Sequence, residues 1–234
     1  MSSPAELHQA YVLHTRHYRE TSLIVDFLVP DVGRISAVVR GARRPKSPQC
    51  SLLQPFGRLL ISWYGKGELK TLKVLESDNQ LVGLRGRALF SGMYLNELLV
   101  RLIKAEEPCE TLFVNYQQAL FELREAESVE PVLRRFERQL LQTLGYWMGF
   151  PDSDTEQVKC FYFDTDSQWL PVAETPTQAQ QARCFLTADL AAIAQDDYSA
   201  EQTLRAAKRL MRLALAPLLG DKPLSSKTLF MKSS

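Results

Sequence analysis

The 234-residue chain has little cysteine and little histidine. Its four cysteines, Cys50, Cys109, Cys160 and Cys184, lie far apart. No two of them form a Cys-x-x-Cys pair, so neither a disulfide framework nor a paired-cysteine metal site is indicated. Isolated thiols suit a reducing cytosol. No apolar run approaches the roughly 18–20 residues that span a bilayer. Residues 1–8 lack a basic stretch followed by an apolar one, so no secretory leader is expected. The common catalytic signatures are missing too. No G-x-G-x-x-G follows a strand, and Gly65-Lys66-Gly67 lacks the upstream glycine of a phosphate loop and runs into Glu68. There is no G-x-S-x-G elbow. His14 and His17 stand three apart in an expected strand, which turns them to opposite sides, and no ligand set accompanies them. They are read as surface or rim histidines. The carboxylates of residues 151–201 are scattered without the spacing of a calcium loop. These absences leave no enzyme, no cofactor, no metal and no membrane span as the expectation.

What remains is a chain that is 45% hydrophobic and long enough for two packed units. Its net charge of +1 conceals an asymmetry. Residues 1–73 carry eleven Lys/Arg against five Asp/Glu, residues 151–201 two against ten, and residues 202–234 seven against one. Basic ends on a nearly neutral chain point to a polyanion bound at particular faces, with ordinary solvated charge as the alternative.

The first 80 residues read as β structure. Residues 11–16 and 22–29 are rich in β-formers, and Pro30 and the Asp31-Val32-Gly33 turn end the second run. Residues 34–40 alternate, with Ile35, Ala37 and Val39 on one side and Arg34, Ser36, Val38 and Arg40 on the other. Residues 56–64 alternate through Leu59, Ile61 and Trp63, and Gly65-Lys66-Gly67 turns the chain into residues 68–76. Five short strands without long helices between them predict a small barrel, and the OB-fold leads that class. From about residue 84 the spacing becomes helical. Leu95, Leu98, Leu99, Leu102 and Ile103 form one stripe, and residues 109–125 are a second helix. Glu130-Pro131 opens a third, lined by Leu133, Phe136, Leu140 and Leu144 and ended by Gly145. Residues 161–169 read as a hairpin, 171–183 as loop and 187–194 as a short helix. Ser199 with Gln202 reads as a capping box for a last helix, ending at Pro217 or Gly220.

Three clusters stand out. Residues 33–48 hold Arg34, Arg40, Arg43, Arg44 and Lys46 and no carboxylate. Arg34 and Arg40 share strand parity, and Lys66 and Lys70, at and after the Gly65–Gly67 turn, extend the set. Phosphate contacts need charge and reach, so this stripe suits a nucleic-acid backbone; a solvated loop is the alternative. Tyr11, Tyr18, Phe56 and Tyr64 are candidate stacking rings, although barrel aromatics are more often core. Arg205, Lys208, Arg209 and Arg212 fall at i, i+3, i+4 and i+7, one side of a helix. Either DNA or the acidic 151–201 stretch can answer them. Arg134, Arg135 and Arg138, beside Leu133 and Phe136, have the chemistry to receive a peptide with an aromatic and a carboxylate; a solvated helix face is the alternative.

At these residues the sequence resembles the bacterial RecO family of recombination mediators. The matching stretches are Gly33-Arg34 with Gly41-Ala42-Arg43, Leu53-Gln54-Pro55-Phe56, Gly67-Glu68-Leu69-Lys70-Thr71-Leu72, Tyr94-Leu95-Asn96-Glu97-Leu98-Leu99, Leu133-Arg134-Arg135-Phe136-Glu137, Leu144-Gly145-Tyr146, Leu204-Arg205-Ala206-Ala207-Lys208-Arg209 and Lys222-Pro223-Leu224-Ser225-Ser226-Lys227. The resemblance implies an α+β chain: a five-stranded N-terminal OB-fold barrel over 1–80, then a mainly α-helical domain over 81–234 with a small hairpin insertion near 150–185. That insertion looks like a degenerate zinc finger, because many relatives carry four zinc-binding cysteines where Cys160 and Cys184 stand alone; no structural zinc is expected. The family implies a cytoplasmic, nucleoid-associated DNA-repair protein that binds single- and double-stranded DNA and anneals complementary strands. It also implies cooperation with RecR in helping RecA replace the single-strand DNA-binding protein, whose acidic C-terminal tail is the expected ligand of Leu133, Arg134, Arg135, Phe136 and Arg138. The competing reading is an RNA-binding OB protein associated with translation.

Overall fold

The computed structural model describes residues 6–147, 149–151, 158–164, 169–172 and 176–226. The chain forms two compact units, Met1–Ala126 with Pro223–Ser234, and Glu127–Lys222.

The first unit is built on a closed five-stranded barrel. Its strands are β1 (His8–Tyr18), β2 (Ser22–Val29), β3 (Gly33–Val39), β4 (Gly57–Tyr64) and β5 (Leu69–Leu81). Their order around the barrel is β1-β2-β3-β5-β4. β1, β2 and β3 form an antiparallel meander, and β3 pairs in parallel with β5. β5 and β1 both pair antiparallel with β4, which closes the barrel. This is the topology of an OB-fold, as the five short strand runs imply. In β3 the alternation holds residue by residue, with Ile35, Ala37 and Val39 buried. They pack with Val12, Val25, Phe27, Leu59 and Ile61 in one core. A short helix, α1 (Pro48–Leu52), links β3 to β4; five residues with no buried face left no readable period.

α2 (Gly86–Leu102) and α3 (Glu110–Glu125) belong to the barrel unit. The expected leucine stripe packs inward, with Leu95, Leu98 and Leu99 fully buried. α2 is fastened to β1 by Asn96. Its Nδ2 donates to the carbonyls of Val12 (3.3 Å) and Leu13 (3.0 Å), and its Oδ1 accepts from Tyr116 of α3 at 2.5 Å. Those carbonyls sit where β1 shifts register against β2. A buried amide that satisfies three groups is costly to remove, at about 1–3 kcal/mol for each group left unpaired. The α2–α3 connection runs over the β2–β3 turn. Cys109 donates to Pro30 O, and Glu106 donates to Arg34 O. Gly33 (φ +94°) permits this approach, since a Cβ there would lie 2.0 Å from Glu107 O.

The second unit contains α4 (Glu130–Thr143), β6 (Cys160–Phe163), β7 (Trp169–Val172), α5 (Gln178–Gln181), β8 (Cys184–Leu186), α6 (Thr187–Ala194) and α7 (Glu201–Leu219). α4 begins at Glu130-Pro131 and is followed by Gly145 at φ +75°, as its caps imply. It packs on α7, and α6 packs there too. Asp189 of α6 ties the latter pair by accepting from Thr203 Oγ1 (3.0 Å) and Gln202 Nε2 (3.2 Å). The expected hairpin is two strands of a three-stranded sheet, β7-β6-β8. Trp169 closes its face, packing on Phe163 and Phe185 and donating to Gly149 O at 2.9 Å. The polar turn of that hairpin, residues 165–168, lies outside the described residues.

Two local expectations are corrected. Residues 171–183 include the end of β7 and all of α5, which Thr177 enters with its N and Oγ1 both donating to Gln180 Oε1. No capping box opens α7. Its cap is Ala200 without a side-chain hydrogen bond, because Gln202 is drawn to Asp189, while the Ser199 amide donates to Asp197.

Candidate nucleic-acid interface

The meander brings two loops to one end of the barrel. Leu23 faces both His17 and Val39, so the β1–β2 turn must lie beside the chain leaving β3. Arg43 closes the junction. Its amide donates to Thr21 O at 2.9 Å and its Nη1 to Glu20 O at 3.3 Å. Ala42, fully buried, roots the loop in the barrel core. Gly41 takes φ +72°, and the Arg44 side chain folds over it at ordinary contact distance. Arg40, Arg43, Arg44 and Lys46 are exposed. None makes an ion pair among the described residues.

The same end carries cations that the loop pattern does not reveal. β1 is buried at Ala10–Leu13, but from His14 to His17 it is exposed on both faces. Arg16 projects from this stretch, and Arg19, at φ +50° in the turn, lies 5.2 Å from the Tyr18 ring centre. Register alone would have found them, because in a meander the end of β1 and the end of β3 share a rim. The barrel end therefore presents Arg16, Arg19, Arg40, Arg43, Arg44 and Lys46, with Glu20 the carboxylate of the β1–β2 turn.

The other expected cations of the barrel behave differently. Arg34 points outward, yet its Nε donates to Ile103 O at 3.1 Å and its Nη1 lies 3.9 Å from Asp26. Asp26 is buried and also meets Ser36 and His14. Burial pushes the Asp26 carboxyl up, but the bonds from His14 and Ser36 and the charges of Arg16 and Arg34 outweigh it and hold the group below its ordinary value. Lys70 is buried, with Nζ 2.7 Å from Glu106 Oε1. Only Lys66, at the β4–β5 tip, stays fully exposed. Of the candidate stacking rings, Tyr11 and Phe56 are core. Burial pushes the Tyr11 hydroxyl up to about 12. Tyr64 is exposed and Tyr18 half-buried.

In the second unit Arg205, Lys208, Arg209 and Arg212 share the solvent face of α7. Arg205 pairs with Glu201 of its own helix. Arg209 Cζ lies 4.5 Å from the Phe185 ring centre, and its Nη2 donates to Cys184 O at 2.7 Å. Lys208 and Arg212 have no ion pair among the described residues. Five of the ten carboxylates of the 151–201 stretch lie outside the described residues, at positions 152, 154, 156, 166 and 174. A cavity of about 560 Å³ beside this face is lined by Cys160, Cys184, Phe185, Asp189, Arg205 and Arg209. Among the described residues no three His, Cys, Asp or Glu side chains gather around one point.

The α4 cluster is the one the structure rearranges most. Leu133 and Phe136 are packed inside the unit. Arg134 is buried against an equally buried Glu137, Nη2 to Oε1 at 2.8 Å. Arg138 donates to Asp196 at 2.6 Å, and Arg135 approaches the same carboxylate at 3.8 Å. The apolar slot expected beside Leu133 and Phe136 is thus filled by the protein itself.

The chain matches the model described as Recombination protein O N terminal over residues 1–80 and that described as Recombination protein O C terminal over residues 84–150. It belongs to the RecO family. It is 45% identical over 231 residues to the DNA repair protein RecO of Cellvibrio japonicus, covering 98% of each chain. Against the DNA repair protein RecO of Pseudomonas aeruginosa the identity is 46% over 225 residues, 94% of this chain and 93% of the relative. Against that of Actinobacillus pleuropneumoniae serotype 3 it is 41% over 228 residues. The first family boundary falls where β5 ends. No helix among the described residues is long and apolar enough to cross a membrane.

Proposed function

We propose that this RecO-family chain is a DNA-binding recombination mediator in DNA repair that acts without catalytic turnover. It binds single- and double-stranded DNA, pairs complementary strands, and works with RecR to let RecA load where single-strand DNA-binding protein has coated the DNA. The observation that carries this reading is the barrel end, where six cations, Arg16, Arg19, Arg40, Arg43, Arg44 and Lys46, are exposed and the last four make no ion pair among the described residues. Unanswered charge on a rigid rim is a site for phosphates, and it contacts the backbone rather than base edges. The α7 face supplies a second such surface. There Arg209, held against Phe185, is placed to meet a phosphate.

The proposed protein partners are RecR and the acidic tail of the single-strand DNA-binding protein. Since Arg134 is committed to Glu137, a tail carboxylate reaching α4 would compete with Asp196 for Arg135 and Arg138. The deciding experiment is a titration of short DNA and RNA strands at several salt concentrations. Log affinity for single strands falls with log salt at a slope of about −0.7 per phosphate contact. Arg43→Glu with Arg44→Glu and Lys46→Glu should weaken binding at least tenfold for every sequence and flatten that slope. Unchanged affinity in the folded triple variant rejects the barrel face. Strand annealing absent alongside tight RNA binding favours the translation-associated alternative.

A further inference from the structure

Residues 223–226 are fastened to the first unit by bonds that account for their path. Glu97 Oε1 accepts from the Ser225 amide at 2.8 Å, and its Oε2 accepts from the Ser226 amide at 2.8 Å and the Ser226 hydroxyl at 2.7 Å. The barrel rim is different. Among the described residues six that are not glycine take a positive φ: Arg19, Lys46, Phe56, Asn79, Glu106 and Asp196. A side chain in this left-handed region crowds its own backbone, and glycine or asparagine is favoured there. Four of the six have an account. Phe56 is buried in the core, Asn79 is a tolerated type, Glu106 receives Lys70 Nζ at 2.7 Å, and Asp196 of the second unit receives Arg138 Nη2 at 2.6 Å. Arg19 and Lys46 have no such anchor. Both are exposed, and neither side chain makes a hydrogen bond or ion pair among the described residues.

The backbone enforces both settings. The Ser47 amide donates to Arg44 O at 3.0 Å, so Arg44-Pro45-Lys46-Ser47 is a closed turn. Proline fixes a negative φ at its second position, and Lys46 stands third at φ +61°. That combination is a type II turn, whose third position favours glycine or asparagine. Arg19, at φ +50°, stands in the β1–β2 turn, and the Arg43 amide joins the two loops by donating to Thr21 O. A glycine at either position would relieve the backbone and carry no charge. The neighbouring arginines are engaged in the loops themselves. Arg43 Nη1 donates to Glu20 O at 3.3 Å, and the Arg44 side chain folds over Gly41. The contact of Arg19 with the Tyr18 ring, 5.2 Å from its centre, is a weak one at an exposed site. Strained backbone persists where the surrounding structure over-determines it, and it gathers at binding sites. We propose that Arg19 and Lys46 are the principal phosphate contacts of the rim, two charges held against backbone strain on joined loops to grip one sugar-phosphate backbone. This rests on reading the rim as a nucleic-acid surface. It divides six similar cations into two that meet phosphates most closely and four that shape the rim or add to its field.

The test uses the full chain, titrated at several salt concentrations with a single strand of about 16 nucleotides, the upper site size of one barrel of this class, and melted in parallel. Arg19→Gln with Lys46→Gln removes the charges and keeps the strain. It should flatten the salt slope by about 1.4, two contacts' worth, lower affinity at least several-fold and leave the melting temperature unchanged. Arg19→Gly with Lys46→Gly should lose the same affinity yet melt about 2–4 °C higher, because the strain is gone. Arg40→Gln with Arg44→Gln makes an equal change of charge and should flatten the slope by less than about 0.7. A normal slope in the Arg19 and Lys46 glutamine pair overturns the proposal, as does an equal or larger loss from Arg40 and Arg44. A glycine pair that melts no higher than wild type overturns the strain and with it the reason for singling out these two residues. If the Arg43→Glu, Arg44→Glu and Lys46→Glu chain also binds normally, the rim reading falls together with this inference. If that chain binds weakly while the Arg19 and Lys46 glutamine pair binds normally, only this inference falls.

Discussion

The cations of the barrel rim and the cations of α4 are alike in sequence and opposite in the folded chain. Both are runs of arginine beside apolar residues. At the rim Arg40, Arg43, Arg44 and Lys46 are exposed and make no ion pair among the described residues. In α4 Arg134 is sealed against Glu137, and Arg135 and Arg138 converge on Asp196. A cation cluster becomes a binding surface when the chain withholds its own carboxylate, and a structural joint when it supplies one.

The sharpest test of that distinction is to break the joint. Glu137→Ala strips a buried guanidinium of its countercharge, a change that costs about 3–5 kcal/mol. Chemical denaturation should show a loss of that size, while the part that remains folded keeps its DNA affinity. A loss under 1 kcal/mol would mean that Arg134 finds water or another acceptor, and the contrast with the rim would dissolve. Next in size is the rim itself. Arg16→Glu with Arg19→Glu should lower single-strand affinity at least several-fold and flatten the salt slope by about 1.4, two contacts' worth, with a modest loss of thermal stability because Arg16 also supports the Asp26 carboxylate. A normal slope would confine the interface to the 40–46 loop.

Smaller effects probe the intermediate cases. Lys70→Ala removes a buried ion-pair partner of the half-exposed Glu106. It should cost about 1 kcal/mol in denaturation and leave DNA binding intact; a marked affinity loss would return Lys70 to the interface. The last test is one of pH. The Asp26 carboxyl sits below its ordinary value in the folded chain. Its contribution is thus present above the unfolded value and disappears as pH falls through the folded one. The stability difference between wild type and Asp26→Asn should be constant near neutrality and shrink below about pH 5. A difference that grows with acidity would contradict the assignment of His14, Ser36 and Arg34 as its partners.

Legibility in the sequence followed the same division. Elements with a long, clean period were readable: the alternation of β3, the leucine stripe of α2, and the Pro131 and Gly145 boundaries of α4. β8 has three residues and α1 five, too few for any period to register. Exposed loop cations were readable because nothing answers them nearby. Arg16 and Arg19 were missed because attention to composition overlooks register, which brings the end of β1 beside the 40–46 loop. The fate of Arg134 was visible in principle, since Glu137 follows at i+3 within the same motif. That of Lys70 was not, because Glu106 lies on the α2–α3 connection and only the closed barrel brings the two together.

The return of residues 223–226 to Glu97 also sets a timetable for synthesis. The first unit contains residues from both sides of the 127–222 segment, so the ribosome must make 96 intervening residues before that unit receives its final piece. Glu97 waits for Ser225, 128 residues further on; at translation rates of about 5–20 residues per second its carboxylate is open to solvent for roughly 6–26 s. The barrel, whose strands are all made before residue 82, has time to close first. The rim of Arg40 to Lys46 is therefore built and exposed in the nascent chain while the serine turn that completes the unit does not yet exist.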